Sequence, residues 1–237
     1  DIPSAEFLNS IDIPAYKIAS GDINYFDLIK KVCSFKKPIF LSTGFSDLSE
    51  IEKAHSIIKS FKNDLCIMHC VSSYPAKFDN LNLNAIQLFK DKFPDSIIGY
   101  SGHENGISIP IVAYVLGARV IEKHFTLDRT WKGTDQIFSI TPDGLRKLVR
   151  DLKRASLSIG EKKKKRLNCE KDAMKKMRKK IFIKESLKKG EIIKYDNLDY
   201  KCDLDGIEIS EIENVINKKT KKDLNPSSPI TLDDLRK

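Results

Sequence analysis

Five short runs rich in β-branched and apolar residues return along the first half of the chain at nearly even intervals: Ala15 to Ser20, Pro38 to Thr43, Leu65 to Cys70, Ser96 to Ser101 and Arg119 to Phe125. Each reads as a strand buried on both faces. Helical periodicity fills the gaps, as from Asp47 to Phe61, where Leu48, Ile51, His55, Ile58 and Phe61 share one face and Ser46 is placed to cap the N-terminus. Strand starts follow one another by about 26 residues, the length of a βα unit in a parallel sheet. A doubly wound sheet or a barrel satisfies that repeat.

Polar residues tip the balance towards the barrel. Lys17, Ser20, Ser42, Ser72 to Tyr74, Ser101, His103, Glu122 and His124 gather at the C-terminal ends of the strands, where barrels keep their chemistry. A complete (β/α)8 TIM barrel has eight units in about 250 residues. The region up to a helix at Pro142 to Ile159 supplies only five. With Asp1 at the front instead of methionine, three units are expected upstream. The chain is then a fragment, inactive alone, with two sheet edges open.

Of 237 residues, 41% are hydrophobic and 32% charged, and no apolar stretch approaches the roughly 20 residues of a membrane span. Five cysteines, at 33, 66, 70, 169 and 202, show no paired spacing, which fits reduced thiols in the cytoplasm. The net charge of +9 is local: residues 161–180 hold eleven basic and three acidic side chains. That stretch reads as a solvated basic linker, since it lacks aromatics for stacking on bases. Beyond it, residues 181–237 read as a small, mostly β domain with a turn at Lys188 to Glu191. The domain plan is therefore 1–160, 161–180 and 181–237.

His103 and His124 end adjacent strands of the expected sheet and could converge on one divalent ion such as manganese. Spacing alone favours the blander alternative of two hydrogen-bonded histidines at strand ends. Lys17, Ser20, Ser42 and Ser101, with Gly21, Gly44 and Gly102 close behind, could cradle a phosphate, although strand-end turns also use Ser and Gly freely. Asp22, Tyr74, Glu122 and Asp135 lie at or beyond the same rim, where carboxylates could move protons or bind sugar hydroxyls. Asp22 could instead cap a helix starting near Asn24. His55, His69, Cys66 and Cys70 read as structural.

The segments YKIASGD (Tyr16 to Asp22), LSTG (Leu41 to Gly44), SSYP (Ser72 to Pro75), IGYSGHE (Ile98 to Glu104) and IEKHFTLDRTWKGTD (Ile121 to Asp135) together resemble the sialic acid synthases, and the final segment resembles the antifreeze-like (SAF) domain these enzymes carry. The resemblance implies a TIM barrel that condenses phosphoenolpyruvate with N-acetylmannosamine or its 6-phosphate, releasing phosphate with help from Mn2+ or Mg2+. It implies His103 and His124 as metal ligands and Lys17, Ser20, Ser42 and Ser101 as phosphoenolpyruvate contacts. Tyr74 and Asp135 match sugar-contacting positions, Asp22 an acidic position beside the substrates, and Glu122 a carboxylate next to the second histidine. The resemblance further implies a domain-swapped homodimer. In many relatives a small-domain arginine reaches the neighbouring active site; here Lys201 stands in that stretch, and lysine lacks the bidentate fork. Synthesis of legionaminic acid or another nonulosonic acid is the nearest alternative. A non-catalytic protein that binds anions or nucleic acid through the lysine run is the more distant one.

Overall fold

Helix and strand alternate from the first residues in the computed structural model, which describes residues 1–236. It divides into two compact units, one over residues 1–161 and a second from Lys162 onward. The first unit runs α1 (Ile2–Ser10), β1 (Tyr16–Ile18), α2 (Phe26–Ser34), β2 (Ile39–Ser42), α3 (Leu48–Ser60), β3 (Leu65–Cys70), α4 (Ala85–Lys92), β4 (Ile97–Gly102), α5 (Ser108–Leu116), β5 (Val120–Lys123) and α6 (Pro142–Ile159).

All five strands are parallel, and their spatial order is their chain order. A doubly wound sheet reverses direction at a switch point; this one advances steadily, as a half-barrel does. One face of the sheet, carrying Tyr16, Ile18, Ile39, Leu41, Leu65, Ile67, Ile98 and Tyr100, packs against helix residues such as Ile29, Ile58, Ile86 and Ala113 in a single core. The alternate residues of every strand therefore face the other way.

Two local expectations need correction. The cap of α3 is Asp47, which accepts from the Glu50 backbone N–H while the Glu50 carboxylate accepts from that of Asp47; Ser46 instead donates to the Gly44 carbonyl. This reciprocal box satisfies two amides where a lone hydroxyl satisfies one. The second helix begins at Phe26 with Tyr25 at its cap position, so Asp22, within a short 3-10 turn at Ser20–Asp22, does not cap it.

The second unit contains α7 (Lys171–Met177) and an antiparallel pair, β6 (Lys179–Ile183) and β7 (Leu198–Cys202). Isolated bridges at Phe182↔Pro229, Leu187↔Leu224 and Thr220↔Leu235 close it around its own core of Ile181, Ile183, Ile193, Val215 and Ile230. Gly190, at φ 91°, makes the expected turn, with the Glu191 N–H donating to the Lys188 carbonyl. The Glu208 carboxylate faces Arg166, Arg178 and Lys180, so part of the basic stretch is neutralised within this unit. No helix among the described residues is long and apolar enough to cross a membrane.

Candidate active site

Strand register collects the polar residues on the face away from the helices. Ser42 pairs with Met68, Cys70 with Ser101, and Ser101 with Glu122. Counting by twos along each strand, Lys17, Ser42, Cys70, Ser101, His103, Glu122 and His124 share that face. Lys17, Ser20, Ser42, Cys70, Tyr74, Ser101 and His103 line a cavity of about 140 Å3.

Ser42, 2% exposed, has no hydrogen-bond partner for its Oγ among the described residues. A buried orphan hydroxyl costs free energy unless a ligand satisfies it. Beside it, Ser20 Oγ accepts from the Gly44 N–H at 3.0 Å. A Cβ at Gly44 would lie 2.0 Å from Ser72 Oγ and 2.9 Å from Ser20 Oγ, so any side chain here would displace both hydroxyls. Gly102 plays no such part. A Cβ there would meet the Glu104 carboxylate at 2.5 Å, on the other side of the sheet, and Gly21 borders open space. Of the three glycines expected to cradle a phosphate, Gly21 lines the cavity and Gly44 is packed against the Ser20 hydroxyl, while Gly102 lies on the opposite face.

Lys17 Nζ lies 2.5 Å from Glu122 Oε1, spanning from the first to the fifth strand, and both side chains stay partly open to solvent. The ammonium group thus carries a counter-charge that an incoming anion would share. Asp22, half-buried beside Ser20, makes no side-chain hydrogen bond or ion pair among the described residues.

The imidazoles of His103 and His124 have ring centroids 5.2 Å apart. Two imidazoles that share one ion through bonds of about 2.1 Å have centroids roughly 5 Å apart, so the spacing suits a common cation. His103 Nδ1 donates to the Val71 carbonyl at 2.8 Å, and His124 Nδ1 lies 3.4 Å from Asp135 Oδ2. The first is a hydrogen bond that holds the His103 ring through Nδ1 and leaves its Nε2 free to ligate, the usual arrangement behind a metal; the Asp135 carboxylate flanks the same nitrogen of His124. Among the described residues no group of three or more His, Cys, Asp or Glu forms a closed cage. A cation held here would keep positions for water or substrate oxygen, as catalytic sites do. Tyr74 covers the pair, tilted at 4.2 Å from the His103 ring and edge-on at 6.0 Å from that of His124.

Cys70, expected to be an inert core thiol, belongs to the cavity wall: its Sγ is 3.9 Å from His103 Nδ1 and 3.7 Å from Ser20 Oγ. Burial, the largest influence on each, would push the thiol up and the imidazole down. The hydrogen bonds and opposite charge each offers the other outweigh it, so the thiol is drawn below its ordinary value and the His103 imidazole above. His124 is lowered, by burial first and then by the like charge of His103. His55 and His69 stand apart from the site, with Nε2 at 3.0 Å from Asp95 and 2.7 Å from the Leu81 carbonyl respectively. In the second unit Lys201 donates to Ser227 Oγ at 2.7 Å.

Comparison with known proteins gives the chain a family. Residues 1–164 match the NeuB family. The human N-acetylneuraminate-9-phosphate synthase is 35% identical over 220 residues, covering 92% of this chain and 61% of the human one. The N,N'-diacetyllegionaminic acid synthase of Campylobacter jejuni is 36% identical over 92% of this chain and 66% of its own. The crystal structure of an N-acetylneuraminic acid synthetase from Leptospira borgpetersenii, in complex with citrate, superposes with a TM-score of 0.68 at 40% identity, over 73% of this chain and 60% of that one. The chain thus spans less than two thirds of the length of each of these three relatives. Sheet order, the polar strand ends and these matches agree: the chain belongs to the NeuB family.

Proposed function

We propose that this chain carries catalytic groups of a nonulosonic acid synthase, condensing phosphoenolpyruvate with an open-chain N-acylated hexose of the N-acetylmannosamine type. The observation that carries the reading is the orphaned Ser42 hydroxyl in a cavity flanked by Lys17, Ser20 and Ser101, a donor set suited to a phosphate. His103 and His124 would hold a divalent cation, Mn2+ or Mg2+, which supplies Lewis-acid polarisation of the sugar aldehyde.

In this reading Lys17 and the three serine hydroxyls bind the phosphate of phosphoenolpyruvate and orient its C3 towards the aldehyde carbon. A carbon–carbon bond forms there, and positive charge develops at C2. Water adds at C2, giving a tetrahedral centre that expels inorganic phosphate with cleavage of the carbon–oxygen bond. The Lys17 ammonium stabilises the departing phosphate dianion. Glu122, paired with Lys17, is placed to take the proton that the added water releases. Tyr74, Asp135 and Asp22 contact the sugar. The second unit serves as the antifreeze-like module of this enzyme class. Sialic and legionaminic acid synthases match at nearly equal identity, so the acyl pattern of the sugar is decided by product analysis.

The test is phosphoenolpyruvate consumption by the protein that carries this chain. Consumption is expected to need both Mn2+ and an N-acylated hexose, to yield a nine-carbon keto acid plus phosphate, and to vanish in His124→Ala. Pyruvate plus phosphate formed without sugar would contradict the reading in favour of hydrolysis. Salt-sensitive binding of RNA that disappears when residues 161–180 are deleted, with no turnover of phosphoenolpyruvate, would favour the binding-protein alternative.

A further inference from the structure

Three polar side chains are sealed behind the strand ends, on the face turned away from the cavity. Glu104 is fully buried and Tyr100 is 1% exposed, while the Lys123 side chain is 2% exposed. Lys123 Nζ lies 3.0 Å from Glu104 Oε1 and also donates to the Glu104 carbonyl. Tyr100 donates its phenol proton to Glu104 Oε2 at 2.6 Å. Both carboxylate oxygens are therefore engaged.

Packing has made room for this group. Gly102 lies between Tyr100 and Glu104 on the same face, and a Cβ there would stand 2.5 Å from Glu104 Oε2 and 2.6 Å from a Tyr100 ring carbon. A buried ion pair is a weak source of stability, because well-packed apolar residues of similar volume often replace it at no cost. Its position is more telling. Gly102↔Lys123 is the last pair in the β4–β5 register, and the two imidazoles stand immediately past it. Glu104 follows His103 in the chain, and Lys123 precedes His124. The ion pair thus ties the two strands together where the ladder between them has ended, and it does so one residue from each histidine.

We infer that the Glu104–Lys123 pair, anchored by the Tyr100 phenol, is a positioning device that fixes the separation of the His103 and His124 imidazoles and thereby their affinity for a divalent cation. The inference rests on the reading that those two histidines hold the cation. None of the three side chains reaches the cavity, so all are positioning residues. The expectation from sequence left Glu104, Lys123 and Tyr100 without any role.

The experiment measures Mn2+ affinity, by the electron paramagnetic resonance signal of the free ion, alongside thermal unfolding of the protein that carries this chain. The double variant Glu104→Gln/Lys123→Met keeps shape and removes both charges together. Its unfolding temperature should move by only a few degrees while the Mn2+ Kd weakens 10- to 100-fold, the usual effect of losing support behind a metal ligand. Tyr100→Phe keeps the ion pair and should weaken Mn2+ binding about threefold, a smaller fraction of the same effect; it carries the comparison if the double variant does not fold. A purely structural role would lower the unfolding temperature and leave the Kd of the folded protein unchanged in both variants, which overturns the inference. Wild-type binding that weakens in His124→Ala but not in these variants removes the positioning role alone. A wild-type chain that binds Mn2+ no better than His124→Ala removes the cation reading and the positioning role together.

Discussion

A hydroxyl buried without a partner is the sharpest single-residue signal in the molecule. Replacing Ser42 by alanine removes no internal hydrogen bond, so Ser42→Ala should unfold at the wild-type temperature or slightly above it. If the hydroxyl serves an anionic ligand, phosphoenolpyruvate binding should weaken roughly tenfold or more, the cost of one hydrogen bond to a charged group. Calorimetric titration and a melting curve on the same sample check both halves. A fall in melting temperature with unchanged binding would make Ser42 a structural residue. Lys17, Ser42, Ser101 and the two histidines were visible in the sequence because polar residues at the ends of apolar runs stand out. Cys70 was not, because it ends a strand whose other residues are all buried, and only the sheet register shows which side of the wall it occupies. The same parity hid Glu104 and Lys123: each sits beside a conspicuous histidine, and alternation sends it to the opposite face.

At the scale of the element, the strands act as rulers that deliver side chains to one rim. Their runs were legible because strands backed by a helix layer are rich in apolar residues, although Lys17 in β1 is exposed and β5 is only half-buried, so burial on both faces does not hold for every strand; the observed bounds differ from the expected ones by a residue or two, as element ends usually do. The cap of α3 was misplaced although its signal was present: Asp47 stands three residues before Glu50, the spacing of a capping box. The loop after β2 is the element most exposed to damage. Gly44→Ala puts a methyl group 2.0 Å from Ser72 Oγ and 2.9 Å from Ser20 Oγ, so both hydroxyls must turn away or the loop must shift. Circular dichroism should show the fold retained, and phosphoenolpyruvate binding should fall at least tenfold, because a displacement of even 1 Å is costly in a preorganised site. Retained affinity would mean that the cavity tolerates a looser wall than its packing implies.

Across the whole molecule, two units with separate cores carry different chemistry. The first holds the polar rim; the second is stitched by a charge cluster at Glu208. The hydrogen bond from Arg178, the chief cause, and that from Lys180 hold the Glu208 carboxyl far below an ordinary 4.5, at about 2. A depressed carboxyl contributes stability that is complete above its unfolded value and disappears as pH falls through the folded one. The protection factors of the β6 amides, observed exchange corrected for the intrinsic rate at each pH, should therefore fall between pH 4.5 and about 2, and Glu208→Gln should flatten that dependence while costing about 1 to 2 kcal/mol, the sum of a few partly exposed pairs. Protection that falls equally steeply in the variant would place the acid sensitivity elsewhere.

The central claim is spatial: two imidazoles from adjacent strand ends grip one ion beside a phosphate-binding pocket. Electron spin-echo envelope modulation of Mn2+ bound to the chain reads the ligating nitrogens directly. The expected spectrum carries coupling from two imidazole nitrogens, with one lost in His103→Ala and one in His124→Ala. A spectrum without nitrogen modulation, or one that neither substitution changes, would contradict it.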